Sequence, residues 1–211
     1  MHEPLKRIID VVGSILLGVI FFVPALCTAI AIKLDTEGPI LADTPERVGK
    51  NGRLFKLFKF RSMIMNAHDL LRTNPKFRDL YEQYKSNSYK LYDDPRVTRV
   101  GKFIRKHSLD ELPQLMNVFR GDMSLVGPRP YYPDELKNQQ KKYPHTRELV
   151  NIVLSAKPGL TGEWQVSGRS EVNFDKRIKI DAEYVRSKSI VRDILILLKS
   201  PLVMITGKGA V

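Results

Sequence analysis

The longest apolar stretch covers residues 11–32, reads VVGSILLGVIFFVPALCTAIAI and holds no charged residue. A straight helix of this length reaches roughly 33 Å at about 1.5 Å per residue, comparable with a bilayer hydrocarbon core of ~30 Å. Pro24 lies near its middle and predicts a kink. Lys6, Arg7 and Lys33 flank both ends, and positive residues favour the cytoplasmic side. The pattern leaves two structures open, a spanning helix and a re-entrant helix bent at Pro24.

Polar residues in and beside this segment need partners. A bend frees backbone groups, and Ser14 or Thr28 is placed to satisfy them. Asp10 is costly in lipid unless it is paired, and Arg7, three residues earlier, is the expected partner.

A second apolar pattern lies over residues 190–205. Six apolar residues recur there at helical spacing and form one broad stripe: Ile190, Val191, Ile194, Leu195, Leu197 and Leu198. Such a stripe is typical of a core helix. It is equally typical of an amphipathic helix that lies on a bilayer surface.

The chain between these segments predicts an α+β fold that is mostly α-helical. A small β-hairpin is expected around residues 51 and 52, an Asn-Gly turn signal, with Lys56, Lys59 and Arg61 close together. Residues 63–93 predict two short helices broken at an Asn-Pro pair, and residues 133–154 predict one further helix.

Composition narrows the choice of partner. Lys and Arg number 35 against 23 Asp and Glu, a formal net charge of +12, which indicates an anionic partner. The single cysteine, Cys27, excludes an internal disulfide, and the four scattered histidines argue against a transition-metal site. Since no helix-turn-helix, RNP or zinc motif is present, a nucleic-acid partner is a weaker interpretation.

Two neighbouring carboxylates, Asp110 and Glu111, stand out in the segment HSLDELPQL. A helix is expected to follow them and to end at Gly121. A start at Asp110 places Pro113 in the first turn, where its missing N–H costs little, whereas a capping box from Ser108 places it deeper. We therefore expect the pair at the positive end of a helix dipole. The alternative is that the pair only caps this helix.

Basic residues surround the pair in sequence, and they suggest its chemistry. They are Arg96, Arg99, Lys102, Arg105 and Lys106 before it, and Arg129 in GPRP after it. Arginine binds phosphate bidentately. One carboxylate can act as a nucleophile on phosphorus, and the other can hold Mg²⁺, which prefers oxygen ligands.

A glycine-rich segment, KPGLTGEWQVSGRS, covers residues 157–170. Its glycines predict a loop with close backbone approaches, in neither the P-loop nor the G-x-G-x-x-G order. Trp164, Gln165 and Arg169 are suited to a nucleobase or a sugar. A structural turn that packs the sole tryptophan is the alternative.

These motifs together resemble the bacterial sugar transferases, the monotopic phosphoglycosyl transferases. The resemblance rests on DPRVTRVGKFIRKHSLDELPQLMNVFRGDMSLVGPRP, on KFRSM, on KPGLTGEWQVSGR and on KRIIDVVGS before a proline-broken apolar run. The resemblance covers nearly the whole chain. The chain resembles the minimal catalytic form of the family.

The resemblance implies transfer of a sugar-1-phosphate from a UDP-sugar to polyprenyl (undecaprenyl) phosphate, the first membrane step of surface polysaccharide or glycoconjugate synthesis. It implies a ping-pong mechanism with Asp110 as nucleophile, a covalent phosphosugar intermediate, and Glu111 as ligand of Mg²⁺. It also implies a re-entrant helix broken at Pro24. The chain departs from the small members at Val23, where they often carry Ser.

The expected arrangement follows from the residues and the resemblance together. Residues 1–34 would anchor the protein in the cytoplasmic face of the bacterial inner membrane, and residues 35–211 would form one catalytic unit with amphipathic helices at the membrane surface. Anionic phospholipids would reinforce docking. The oligomeric state is open, with a homodimer among the options.

Six residues are expected to contact phosphate or nucleotide: Lys59, Arg61, Arg105, Arg129, Gln165 and Arg169.

Overall fold

The structure is a computed structural model that describes residues 3–87, 89, 91, 93–168 and 172–206. Over these residues the fold is α+β and mostly helical, which confirms the predicted class. The helices are α1 (Glu3–Ile20), α2 (Phe22–Asp35), α3 (Ala67–Thr73), α4 (Arg78–Ser86), α5 (Arg99–Lys106), α6 (Gln114–Arg120), α7 (Pro133–Lys142), α8 (Arg147–Leu154), α9 (Glu163–Val166), α10 (Phe174–Ser187) and α11 (Ile190–Thr206). The strands are β1 (Arg47–Val48), β2 (Leu54–Phe55), β3 (Ser124–Val126) and β4 (Gly159–Thr161).

The apolar N-terminal segment forms two helices, α1 and α2, that meet at Phe21 with a bend of 62°. Pro24 lies in the first turn of α2 and has no N–H to donate to the Ile20 carbonyl, so α1 ends there. Ser14 Oγ donates to a carbonyl three residues earlier, and Thr28 Oγ1 donates to the Pro24 carbonyl at 2.8 Å. Among the described helices no single one has the length and apolar composition to cross a bilayer, while this bent pair has both in combination.

The first turns of α1 pack on the rest of the protein. Asp10 is 3% exposed, and its Oδ1 accepts hydrogen bonds from Ser124 Oγ and the Leu125 amide. Arg7 instead donates to two carbonyl oxygens at the C-terminal end of α6. The predicted Arg7–Asp10 pair is therefore wrong, because Arg7 binds the end of α6, while Asp10 binds Ser124 and Leu125 and lies 3.9 Å from the ammonium of Lys6 on its own helix.

The predicted hairpin is confirmed, although its strands are short. Strands β1 and β2 pair antiparallel, and Asn51 and Gly52 turn the chain with φ of 56° and 81°. Left-handed backbone of this kind favours Asn and Gly. Lys56, Lys59 and Arg61, which follow the hairpin, contact three different sets of partners.

The polar middle of the chain forms the two short helices predicted, α3 and α4, separated at Asn74 and Pro75. The single helix predicted for residues 133–154 is wrong. It is two helices, α7 and α8, with a 3-10 turn between them that begins at Pro144. The residue before a proline avoids helical geometry, and Tyr143 ends α7 with a ψ of 71°.

Three small cores hold the described part of the fold together. One packs around the parallel pair β3–β4 with α6, α10 and α11, and a second lies between α7, α8 and α10. The third joins Ile32 of α2, Phe60 and Ile104 of α5. The loop after β3 lies directly on the loop before β4, and a Cβ on Gly159 would overlap the Gly127 nitrogen. The close backbone approaches predicted for the glycine-rich segment are thus confirmed.

Helix α11 carries its apolar stripe largely on the outside. Asp193 is buried, where its carboxylate accepts from Lys6 Nζ and Tyr184 Oη, both at 2.6 Å, and Ile196 is buried beside it. The exposed residues are Val191, Ile194, Leu195, Leu198, Leu202 and Ile205. The core-helix alternative is therefore wrong for most of the stripe, and a polar anchor holds the helix to the body instead.

Candidate active site

Asp110 and Glu111 lie in a 3-10 turn, Leu109–Glu111, one turn before α6. Ser108 precedes the turn in left-handed geometry, with φ of 55°. The Phe60 amide donates to the Asp110 carbonyl at 2.9 Å, which ties the turn to the segment after the hairpin. The predicted start of α6 at Asp110 is therefore wrong, because Pro113 is the N-cap and the helix begins after it. Gly121, at φ of 91°, ends α6 as predicted.

Lys59 holds the two carboxylates together. Its ammonium lies 2.8 Å from Asp110 Oδ2 and 3.8 Å from Glu111 Oε1. The Asp110 side chain is 3% exposed, while that of Glu111 is 31% exposed. A shared cation offsets the repulsion between neighbouring carboxylates, and it fixes Asp110 in a buried position at the edge of a cavity.

The pair lines a polar cleft of about 240 Å³. The basic residues that also line it are Arg47, Lys59, Arg61, Arg96, Arg105 and Arg129. Arg99, Lys102 and Lys106 are instead exposed. Four acids line the cleft as well, namely Asp43, Asp94, Asp110 and Glu111. The basic residues outnumber them, so the cleft is net cationic, a setting suited to an anionic substrate.

The residues expected to contact phosphate or nucleotide differ in the partners that they have in the structure. Arg61 is buried, and its guanidinium donates to Thr36 and to the Pro39 carbonyl, so it fastens the chain after α2 while lining the cleft. Arg105 and Gln165 also line the cleft, and Gln165 donates to the Leu160 carbonyl. Arg169 lies outside the described residues.

Arg129 reaches the cleft from the loop between β3 and α7. Its amide donates to Asp181 Oδ2, and its guanidinium lies 5.2 Å from the Trp164 ring centroid. Burial and the nearby Arg177 lower the pKa of Arg129. Arg177 approaches the Trp164 ring as well, at 5.7 Å, and Trp164 is 7% exposed. These contacts favour the structural interpretation of the tryptophan over a free stacking surface.

The sequence did not point to Arg47, His68 and Tyr132, which also line the cleft. Arg96, one of the basic residues near the pair in sequence, is instead held locally, because its side chain is 2% exposed and bound to Asp94 at 2.6 Å. The pattern Asp-x-Arg in DPRV was the available signal for that local pair.

An apolar groove of about 380 Å³ adjoins the cleft at the carboxylate pair. Its walls come from the bend of α1 and α2, from α6, from β4 and from the last turns of α11. Ser108, Glu111 and Gln165 line both the groove and the cleft. The carboxylate pair therefore lies where a polar, cationic cavity meets an apolar one.

Comparison with known proteins assigns this architecture to a family. The sequence model described as bacterial sugar transferase matches residues 1–207. The chain belongs to the bacterial sugar transferase family.

Several relatives of this chain carry functional names. An undecaprenyl-phosphate galactose phosphotransferase of Salmonella typhimurium is 43% identical over 210 residues, covering 98% of this chain and 41% of that protein. An undecaprenyl-phosphate glucose phosphotransferase of Komagataeibacter xylinus is 41% identical over 197 residues, 91% of this chain and 34% of that protein. The exopolysaccharide production protein ExoY of Rhizobium meliloti is 37% identical over 209 residues, 97% of this chain and 87% of that protein. The chain spans less than half the length of several of these relatives.

Asp110 and Glu111 are the donors that could hold Mg²⁺ in the described part of the chain. The described residues contain no cluster of three or more His, Cys, Asp and Glu side chains that would enclose an ion. Mg²⁺ is commonly held by one or two carboxylates with water and substrate phosphates completing the shell. Glu111, the more exposed acid, and Asp110 supply such a pair.

The buried carboxyl group of Asp181 predicts a pH-dependent stability for the fold. Burial raises the pKa of Asp181 to about 7, above the ~3.9 of an unfolded aspartate, and its Oδ1 has no hydrogen-bond partner among the described residues. Between these pKa values the folded state binds more protons than the unfolded state, so stability falls as pH rises from about 4 to about 7.

We expect Asp181→Asn to raise Tm by several degrees at pH 8 and by clearly less at pH 5, in thermal melts. An equal change at both pH values would contradict this assignment.

Proposed function

We propose that this chain is a phosphoglycosyl transferase that moves a sugar-1-phosphate from a UDP-sugar to polyprenyl phosphate. The observation that carries the proposal is the position of Asp110 and Glu111 at the meeting point of a cationic cleft and an apolar groove. One substrate is a water-soluble diphosphate, and the other is a phosphate on a long apolar chain. The names of the relatives, which include undecaprenyl-phosphate sugar phosphotransferases, support the same reaction class.

Two displacements at one phosphorus make up the reaction. A carboxylate oxygen of Asp110 bonds to the sugar-linked phosphorus, the phosphoanhydride bond breaks, and UMP leaves with the bonding electron pair. An oxygen of the lipid phosphate then attacks that phosphorus, the acyl-phosphate bond breaks, and the Asp110 carboxylate is restored. Splitting the transfer in this way is nucleophilic catalysis.

The other residues of the cleft hold charge in place. Lys59 orients Asp110 through its 2.8 Å contact, and Arg105 and Arg129, which line the same cleft, bind donor phosphates. Glu111 holds Mg²⁺, which supplies neutralisation of phosphate charge when bound.

The membrane arrangement is also a proposal. The start of α1 lies beside the catalytic body, with Glu3 Oε2 at 3.5 Å and Oε1 at 3.0 Å from the ammonium groups of Lys50 and Lys188. Both ends of the bent pair thus face the same body, which supports a re-entrant helix. Its exposed apolar faces, with that of α11, would rest in the cytoplasmic leaflet, and anionic lipids would add about 1 kcal/mol per nearby basic residue.

Cysteine labelling tests this topology. In a Cys27→Ser background, we expect His2→Cys and Lys50→Cys to react with a membrane-impermeant reagent from the cytoplasmic side alone. If position 2 reacted only from the opposite side, the segment would span the bilayer and the hairpin arrangement would be wrong.

We expect the apolar groove to hold the hydrocarbon chain of the lipid acceptor. Met204 lines it, and a carboxylate there would lie against the acyl chain. We expect Met204→Glu to raise KM for polyprenyl phosphate at least about tenfold, with UMP release in the absence of lipid unchanged. Met204→Leu, which keeps the groove apolar, is the matched control. An unchanged lipid KM in the glutamate variant would exclude this path for the chain.

UMP release from a panel of UDP-sugars, with and without undecaprenyl phosphate, tests the function itself. We expect one sugar to give sustained, lipid-dependent turnover. Tight, sequence-selective binding in a gel-shift assay without UMP release would favour a nucleic-acid-binding protein. The absence of both UMP release and nucleic-acid binding would favour a structural membrane adaptor.

A further inference from the structure

The cleft continues past the carboxylates to a second, aromatic end. Phe60 is tied to Asp110, Met63 pairs with Val97, and α3 begins at Ala67. If these residues are extended, at about 3.3 Å per residue, residues 60–63 cover roughly 10 Å of the wall. His68, in the first turn of α3, lines the same cleft.

Aromatic rings and the guanidinium groups of Arg47 and Arg96 line this end. His68 contacts the Tyr132 ring edge-on, with centroids 6.0 Å apart, and Arg47 lies 3.3 Å over the same ring. Tyr84 and Tyr89, which also line the cleft, meet edge-on at 5.0 Å. Four aromatic side chains, His68, Tyr84, Tyr89 and Tyr132, therefore gather in this part of the cleft.

Two polar groups at the aromatic end are suited to an uncharged ligand. Burial, together with the charges of Arg47 and Arg96, lowers the pKa of His68 to about 4, so at neutral pH its ring offers one N–H and one acceptor nitrogen. Arg47 is 8% exposed, and its Nε–H has no hydrogen-bond partner within the described part of the chain. A buried donor without a partner is costly, and a carbonyl oxygen of a ligand would satisfy it.

We propose that His68 and Arg47, packed on Tyr132, form the subsite for the nucleobase of the nucleotide-sugar donor. The proposal rests on the proposed function, because it places the diphosphate between Arg129, Arg105 and Lys59 and the reacting phosphorus at Asp110. An uncharged pyrimidine with carbonyl oxygens and an N–H fits the groups present. The glycine-rich segment does not take this role, since Arg129 and Arg177 already approach its tryptophan ring.

Binding of UMP and of ribose 5-phosphate, which lacks the base, separates this subsite from the phosphate site. By isothermal titration, we expect the wild type to bind UMP more tightly than ribose 5-phosphate. His68→Ala should weaken UMP binding about tenfold or more, as loss of a base contact does, and leave ribose 5-phosphate unchanged. KM for the UDP-sugar should rise similarly, with KM for the lipid unaltered, since the nucleotide has left before the lipid reacts.

His145→Ala is the matched control, because that histidine is exposed, pairs with Asp175 and does not line the cleft. His68→Gln gives the same comparison if the alanine variant does not fold. Equal UMP affinity in wild type and His68 variants, with UMP release intact, would overturn the nucleobase subsite alone. Absence of both UMP binding and UMP release in the wild type would overturn the proposed function as well.

Discussion

Asp110→Asn should abolish UMP release while the protein stays folded. The amide that replaces the carboxylate is a poor nucleophile, and we expect kcat to fall by about 10³-fold or more. The side chain keeps its shape, and Lys59, whose side chain is 26% exposed, retains Glu111 and solvent as partners. We therefore expect a loss of only about 1–2 kcal/mol in the free energy of unfolding. The measurements are initial rates of UMP release and a thermal melt of the same preparation.

Asp122→Asn is the matched control for this substitution. Asp122 follows α6, lies close in sequence and lines neither the cleft nor the apolar groove. It should turn over at the wild-type rate. Substantial turnover by Asp110→Asn would instead make the carboxylate a structural group whose main role is its ion pair with Lys59.

Glu111→Gln should change the response to Mg²⁺ as well as the rate. Removing one carboxylate from a two-carboxylate set weakens the hold on the ion, and we expect the Mg²⁺ concentration for half-maximal activity to rise at least about tenfold. The maximal rate should also fall, by about a hundredfold. Titration of activity with MgCl₂, after removal of metal by EDTA, measures both quantities.

Glu148→Gln on α8 is the control, since Glu148 is exposed and lines neither cavity. An unchanged Mg²⁺ titration in Glu111→Gln, with a lower rate, would remove Glu111 from the metal site and leave it as a charge beside Lys59.

The parts of the fold that the sequence predicted are those fixed by local chemistry. Asn51 and Gly52 specify their turn, Gly121 ends α6, and Pro24 breaks the apolar segment within a few residues. Prolines also explain a failure, because Pro144 divides the single helix that was expected over residues 133–154. Local signals of this kind act through backbone geometry and require no knowledge of the rest of the chain.

The parts that the sequence did not predict depend on distant partners. Arg61 donates to Thr36, 25 residues away, and Asp10 accepts from the Ser124 hydroxyl 114 residues later. Periodicity placed Asp193 off the apolar stripe of α11, but it did not reveal that the aspartate faces inward to Lys6. Motif spacing predicted Asp110 and Glu111 because they are neighbours in sequence. It did not predict Arg47, His68 and Tyr132, which reach the cleft from distant parts of the chain.

The account depends most on a covalent phosphosugar on Asp110, and peptide mass spectrometry detects it directly. Incubation with the UDP-sugar substrate and Mg²⁺, without lipid, should release about one equivalent of UMP. It should also add the mass of a sugar phosphate to the tryptic peptide of residues 107–120, with fragment ions placing the addition on Asp110. Addition of polyprenyl phosphate should then remove that mass. UMP released only in the presence of lipid, with no modified peptide, would indicate direct transfer and contradict the mechanism.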